Sequence, residues 1–72
     1  MEFISFVCDY ALIDPVTLAY KVDCVDRGSI FTTYEDIDED CFRINVFTNK
    51  RFISGKTILA ITEIVKDYLF DE

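Results

Sequence analysis

The sequence predicts an α+β fold, in which an antiparallel sheet of three to five strands is covered on one face by one long C-terminal helix. Three observations predict it: two apolar rows of period two early in the chain, a resumed alternation in "CFRINVF", and an apolar stripe of helical period near the C-terminus. A chain of 72 residues has room for one core, so residues 1–72 are expected to form a single domain.

The first two strands are predicted on either side of Asp14-Pro15. Even-numbered residues from Ile4 to Leu12 and from Val16 to Cys24 are apolar, which is typical of strands with one buried face. A hairpin that pairs Leu12 with Val16 would keep both rows on one side of the sheet. "DRGS" then predicts a tight turn at Gly28 into a short third strand at about 29–33.

The segment "YEDIDEDCF", residues 34–42, carries five carboxylates in six positions. It is either a loop or a short helical turn. The helical turn is favoured, because Thr33 and Asp36 fit a capping pattern and Tyr34, Ile37 and Cys41 would share one helical face. Ile37 would anchor the segment in either case.

The last third of the chain predicts a strand, a turn and a long helix. "CFRINVF" alternates as a strand, "TNK" is a turn, and "RFI" is a candidate short strand. The helix is predicted from Ser54 or Gly55 to about Phe70, since apolar residues recur at intervals of three and four. Ser54 or Thr57 would cap its start.

Catalytic and metal chemistry find little support in the sequence. The chain has no His, and therefore lacks the ordinary general base and activator of nucleophiles, so a non-enzyme without cofactor is predicted. "DIDED" matches the first ligands of a calcium-binding loop, but Cys41 and Phe47 stand where Gly and Glu are required. No metal site is predicted.

"SGKT", at Ser54–Thr57, resembles the end of a phosphate-binding loop. The upstream glycine is replaced by Lys50, so the nucleotide motif is incomplete. A possible anion site remains at the predicted helix start, beside Lys50, Arg51 and Lys56. The alternative is an ordinary helix cap with solubilising basic residues.

The net charge and the cysteine content indicate which partners and which cellular compartment to expect for this protein. The net charge of −7 argues against direct binding of nucleic acid or an anionic membrane, and favours a protein partner with a basic surface. The N-terminus lacks the features of a secretory signal, and no apolar run is long enough for a membrane span. A cytoplasmic protein with three reduced cysteines, acting as small apolar residues, is expected.

Two surfaces are candidates for partner binding. One is the acidic segment, which would offer carboxylates in place of nucleic-acid phosphates or else be only a solvated surface. Its residues are Tyr34, Glu35, Asp36, Asp38, Glu39 and Asp40. The other is the sheet face away from the helix, which is either covered by loops or used in homodimerisation or another interface. Its candidate residues are Phe3, Val7, Val25 and Phe47.

The leading functional hypothesis is a homodimeric inhibitor or decoy that mimics nucleic acid and occupies a nuclease or another nucleic-acid-binding protein of a host. In size, acidity and lack of catalytic residues the chain is similar to phage and mobile-element accessory proteins, a likeness of composition that covers no motif. The host cytoplasm would then be its location. The alternative is a dimerising assembly module that uses the apolar sheet face or an edge strand.

Overall fold

A computed structural model describes residues 3–71 and contains one antiparallel sheet. Its strands are β1 (Phe3–Asp9), β2 (Ile30–Asp36) and β3 (Cys41–Thr48). Their order in the sheet is β1-β3-β2, so β3 lies in the centre and pairs with both neighbours. An α+β class is confirmed in general terms, but the predicted architecture is wrong in its helices.

Two short helices complete the fold. α1 (Pro15–Asp23) connects β1 to β2, and α2 (Gly55–Val65) follows β3 and continues into one 3-10 turn at Lys66–Tyr68. Leu69 then forms an antiparallel bridge with Cys8, on the edge of β1 that β3 does not occupy. β3 lies between β1 and β2, which α1 connects, so these elements form a split β-α-β unit. A last strand after α2 is reduced to the single bridge at Leu69.

The core lies between the helices and the even-numbered face of the sheet. Cys8, Phe42, Ile44 and Val46 contribute to it from the strands and have no exposed surface. The helices contribute side chains that are equally buried, namely Leu18, Val22, Ile61 and Val65. The strand alternation of β1 and β3 thus follows the period-two rule, with one face buried.

The predicted second strand is wrong, because residues 15–23 form α1. The Asp14 side chain accepts a hydrogen bond from the Thr17 amide at 3.0 Å, and Pro15 occupies the first turn, where its missing N–H costs nothing. Pro15, Leu18 and Val22 are the buried residues of α1, at helical intervals. The predicted hairpin pairing of Leu12 with Val16 is wrong for the same reason.

The predicted long C-terminal helix is also wrong. α2 ends at Val65, and Leu69 is extended, with φ −63° and ψ 141°. The Phe70 amide donates to the Val7 carbonyl at 2.9 Å, so the end of the chain pairs with β1 instead of extending the helix. "RFI" is not a strand in this structure.

The acidic segment is not a helical turn. Glu35 and Asp36 belong to β2, which is longer than predicted, and residues 37–40 form the tight connection to β3. The Ile37 and Asp38 amides both donate to the Cys41 carbonyl, which closes this hairpin. Pairing with β3 outweighs the local capping pattern, because that pattern supplies only a few side-chain hydrogen bonds.

Gly28 forms the expected tight turn, with φ 86° in the left-handed region that favours glycine. The Asn49 side chain donates to the Gly28 carbonyl at 2.8 Å, which ties this turn to the end of β3. Within residues 3–71, no helix combines the length and the apolar character that crossing a membrane requires.

Asp14→Ala is expected to lower the midpoint of thermal unfolding by several degrees, because it removes the cap of α1. Hydrogen bonds from the Thr17 hydroxyl and amide lower the pKa of the Asp14 carboxyl below its ordinary value. This contribution to stability is therefore present above about pH 4 and is lost as the pH falls through the folded-state pKa.

The measurement is the midpoint of thermal unfolding of wild type and of Asp14→Ala at several pH values between acidic and neutral. The curves of wild type and Asp14→Ala should converge at low pH. Asp14→Asn is the matched control, since Asn caps a helix about as well as Asp but does not titrate. Equal stability of Asp14→Ala and wild type at neutral pH would contradict this role.

Candidate functional site

The sheet face that points away from the helices is called the open face here. It is formed by odd-numbered side chains of the three strands: Phe3, Ser5, Val7, Phe31, Thr33, Glu35, Arg43, Asn45 and Phe47. Both helices pack on the opposite, even-numbered face. The open face is therefore a surface that the core does not use.

Three phenylalanines form a row across one end of the open face. Phe47 on the central strand lies opposite both Phe3 and Phe31. Each outer ring centroid is 5.2 Å from that of Phe47. Phe3 remains 53% exposed and Phe31 45% exposed, so the row presents apolar surface to solvent. We call these three residues the phenylalanine row.

The middle of the open face is polar. The Arg43 guanidinium donates to the Glu35 carboxylate at 3.1 Å, across two neighbouring strands. A shallow depression of about 520 Å³ extends from this ion pair past Asn45 to Phe3 and Phe47. The positive charge of Arg43 on this face is therefore already paired with the carboxylate of Glu35.

The far end of the open face is bordered by residues 38–40, which we call the acidic turn. Asp38 Oδ1 accepts hydrogen bonds from the Asp40 amide at 2.7 Å and the Cys41 amide at 3.1 Å. These bonds lower the pKa of the Asp38 carboxyl, the Asp40 amide having the largest effect. The Cys41 thiol lies 3.6 Å from the same oxygen and is buried, so the turn folds over the open-face side of β3.

The predicted acidic surface is divided between the two faces of the hairpin. Glu35 lies on the open face, whereas Tyr34 and Asp36 lie on the helix side. The Tyr10 hydroxyl donates to Asp36 at 2.8 Å, and this hydrogen bond is the main cause of the raised pKa of Tyr10. The carboxylates of the segment are therefore not arranged in one row.

Glu39 and Asp40 are the acids of the segment whose side chains make no hydrogen bond or ion pair within residues 3–71. Both are exposed. Ile37, the predicted anchor, is 42% exposed and anchors nothing in the core. No group of three potential ligands in the described part of the chain could hold a metal ion.

The structure places three of the four residues of the predicted apolar face on one surface. Phe3, Val7 and Phe47 lie on the open face, but Val25 follows α1 and packs against the core. The prediction for Val25 depended on a second strand that does not exist. Phe31 was missed, although Ile30 as a buried neighbour and the alternation through "IFTTY" place it on the outer face.

The predicted anion site is not assembled around all three basic residues. Lys50 and Arg51 line one pocket of about 290 Å³, and Lys56 lines another. Asp26 and Thr57 line both pockets, so a carboxylate stands between the basic side chains. At the start of α2, the Ser54 side chain accepts from the Thr57 amide at 3.2 Å. The helix start is thus capped by its own residues.

The cysteines offer no paired chemistry, since all three are free thiols. Burial raises the pKa of the Cys8 thiol to about 11, and burial followed by the charge of Asp38 raises the pKa of Cys41. Both are therefore protonated at neutral pH. Cys24 departs from the expected apolar role because it is exposed, and its sulfur accepts a hydrogen bond from Arg27 at 3.0 Å.

Comparison of the chain with protein-family models, with curated proteins and with solved structures finds no match. The function is therefore inferred from the chemistry of the surface. Of the features described above, the open face combines exposed apolar rings with a bordering negative charge.

Proposed function

We propose that the protein is a non-enzymatic binding protein that docks on a basic protein surface through its open face and acidic turn. The observation that carries this proposal is the phenylalanine row, which is exposed at one end of a sheet face that ends in acids. Aromatic side chains are enriched among the residues that dominate binding energy at protein interfaces. Contiguous exposed apolar surface is a general mark of interaction sites.

Electrostatics favours a basic partner. The net charge is −7, and the acidic turn adds the exposed carboxylates of Glu39 and Asp40 beside the open face. Complementary charge increases association rates and excludes wrong partners more than it increases affinity. The apolar rings would supply most of the affinity, and the acidic turn would supply orientation and specificity.

The expected partner is a nuclease or another nucleic-acid-binding protein of a host. A site that holds phosphates is rich in Lys and Arg, and carboxylates on a rigid hairpin compete for the same side chains. Occupying such a site would inhibit the partner as a decoy. The lack of His and the protonated buried thiols support a role without catalysis, and the free thiols fit a cytoplasmic location.

Glu39→Gln with Asp40→Asn should weaken partner binding at low salt and have little effect at high salt. The expected mechanism is slower association, because exposed rim charges act mainly on encounter. The measurement is affinity capture from an extract of the native host at two salt concentrations, followed by association kinetics with the captured protein.

Asp67→Asn with Asp71→Asn is the charge-matched control, since both residues are exposed and lie outside the acidic turn. The control should bind more tightly than the acidic-turn variant at low salt. Salt-insensitive binding, or equal losses in the two variants, would contradict the electrostatic part of the proposal.

Self-association through the same face is a second candidate, which the exposed phenylalanine row favours. A small domain gains buried core when it dimerises. The net charge of −7 on each copy opposes this pairing. Light scattering on wild type and on Phe31→Ser decides between the two candidates. A wild-type dimer that the substitution dissociates would support self-association, and a wild-type monomer would exclude it.

A further inference from the structure

We infer that the partner segment seated on the open face is an amphipathic basic α-helix, with an apolar stripe at one end and Lys or Arg at the other. This inference rests on the proposed function and specifies the shape of what binds. Three properties of the open face lead to it: the hydrogen-bonding groups it offers, its dimensions, and the separation of its apolar and acidic ends.

The open face offers side chains and not backbone groups to a ligand, and its polar side chains are Ser5, Thr33, Glu35, Arg43 and Asn45. The amides and carbonyls of the central strand are used in its pairing with β1 and β2. An extended peptide on this face would find no backbone ladder to join, so only side chains and water could satisfy its own backbone groups. A helix satisfies its backbone internally and presents only side chains, so it can lie on the face at lower cost.

The dimensions of the face suit one helix lying along the strands. Three strands spaced about 4.8 Å apart give a width of about 10 Å between the outer strand axes. An α-helix with its side chains is about 10–12 Å in diameter. The two helices of the chain already cover the other face, so a bound helix would complete a second outer layer.

The apolar and acidic ends set the spacing within this helix. Phe31 and Glu35 are four residues apart on one strand, a separation of about 14 Å at about 3.4 Å per residue. A helix rises about 1.5 Å per residue, so the same distance corresponds to about nine residues. Apolar anchors over the phenylalanine row should therefore be followed or preceded by basic residues about nine or more positions away.

The charge of the face distinguishes a protein helix from single-stranded nucleic acid, whose bases could stack on the same rings. Arg43 is paired with Glu35, and the neighbouring acidic turn carries Glu39 and Asp40. A phosphate backbone would meet net negative charge at this site. Basic side chains on a helix meet the complementary sign.

Selection of displayed random 18-residue peptides on the full chain at low salt tests the inference. Enriched peptides should carry apolar residues at intervals of three and four, with Lys or Arg about nine or more residues from that stripe. Phe31→Ser should bind a selected peptide at least tenfold more weakly than wild type. Phe52→Ser removes a more exposed ring that lies off the open face, and this variant should bind the peptide as wild type does.

Three outcomes of the selection would contradict a helical ligand. Enriched peptides with apolar residues at every second position would indicate a strand added to a sheet edge. Enriched peptides without basic residues, or no enrichment at all, would also contradict it. Binding of a ten-nucleotide oligouridylate that Phe31→Ser abolishes would assign the face to base stacking instead. A wild-type dimer that Phe31→Ser dissociates would assign it to a second copy of this chain.

Failure of this inference is distinguishable from failure of the proposed function. If the host partner is captured through the open face while the selected peptides are extended, only the helix is wrong. If helical basic peptides bind the open face but capture of host proteins is insensitive to Phe31→Ser, the proposed function is wrong.

Discussion

Phe31→Ser is expected to weaken partner binding by about thirty-fold, which corresponds to about 2 kcal/mol, a typical value for an aromatic hot-spot residue. Phe31 belongs to an outer strand and is 45% exposed, so the fold can tolerate its loss. Its ring stacks on Phe47 at an interplanar angle of 14°, and its other surface is free to contact a partner. Titration calorimetry with the captured partner measures the change.

The matched control is Phe52→Ser, which makes the same Phe-to-Ser change at a position off the open face. Phe52 is 64% exposed. Partner affinity of this control should remain within about twofold of wild type, as for most truncations outside a hot spot. A loss in Phe52→Ser equal to that in Phe31→Ser would refute the assignment of the interface to the open face.

Phe42→Ala is expected to lower the free energy of unfolding by about 3–5 kcal/mol, because it creates a cavity at the centre of the core. Phe42 has no exposed surface and lies opposite both Cys8 and Asp36 on the neighbouring strands. Its ring is also 4.9 Å from that of Tyr10. Single domains are stable by only about 5–15 kcal/mol, and a small one lies near the lower limit, so this variant should be partly or fully unfolded at 25 °C.

Urea denaturation followed by circular dichroism measures this loss. Phe42→Leu should retain about half or more of the lost stability, since Leu fills part of the cavity. Phe52→Ala should change the free energy of unfolding by less than about 0.5 kcal/mol, as expected for an exposed position. If Phe42→Ala were no less stable than Phe52→Ala, the described core would be wrong.

The strands around the core were predictable because alternation depends on local geometry. In β3, the buried residues Phe42, Ile44 and Val46 alternate with residues of the open face, and the sequence shows this pattern directly. The same alternation from Val16 to Cys24 was misleading. Pro15, Leu18 and Val22 also fit a helical period, and Asp14-Pro15 is a helix-start signal that should have outweighed the alternation.

The end of α2 could not be predicted from local pattern. Leu69 fits the helical stripe of "TILAITEIVKDYL", yet it leaves the helix to bridge Cys8 on β1. The free edge of β1 decides this outcome, and its position depends on the strand order β1-β3-β2. That order is a tertiary property, and helix propensity is only a weak guide where tertiary contacts compete.

The candidate site was predictable in its composition but not in its arrangement. The apolar face was expected from Phe3, Val7 and Phe47, whereas its extension to Phe31 required the register that pairs Phe31 with Phe47. The acidic run was visible in the sequence. Its division between two faces follows from the assignment of Glu35 and Asp36 to a strand, where successive side chains point in opposite directions.

Mapping the partner on the protein by NMR is the most direct measurement of the central claim, that the open face is the binding surface. Amide and aromatic signals of isotope-labelled wild-type protein are followed as the captured partner is added. The expected result is that the largest shifts occur at Phe31, Phe47 and Arg43, and extend to the acidic turn. Shifts confined to α1 and α2, with the signals of the phenylalanine row unchanged, would contradict the claim.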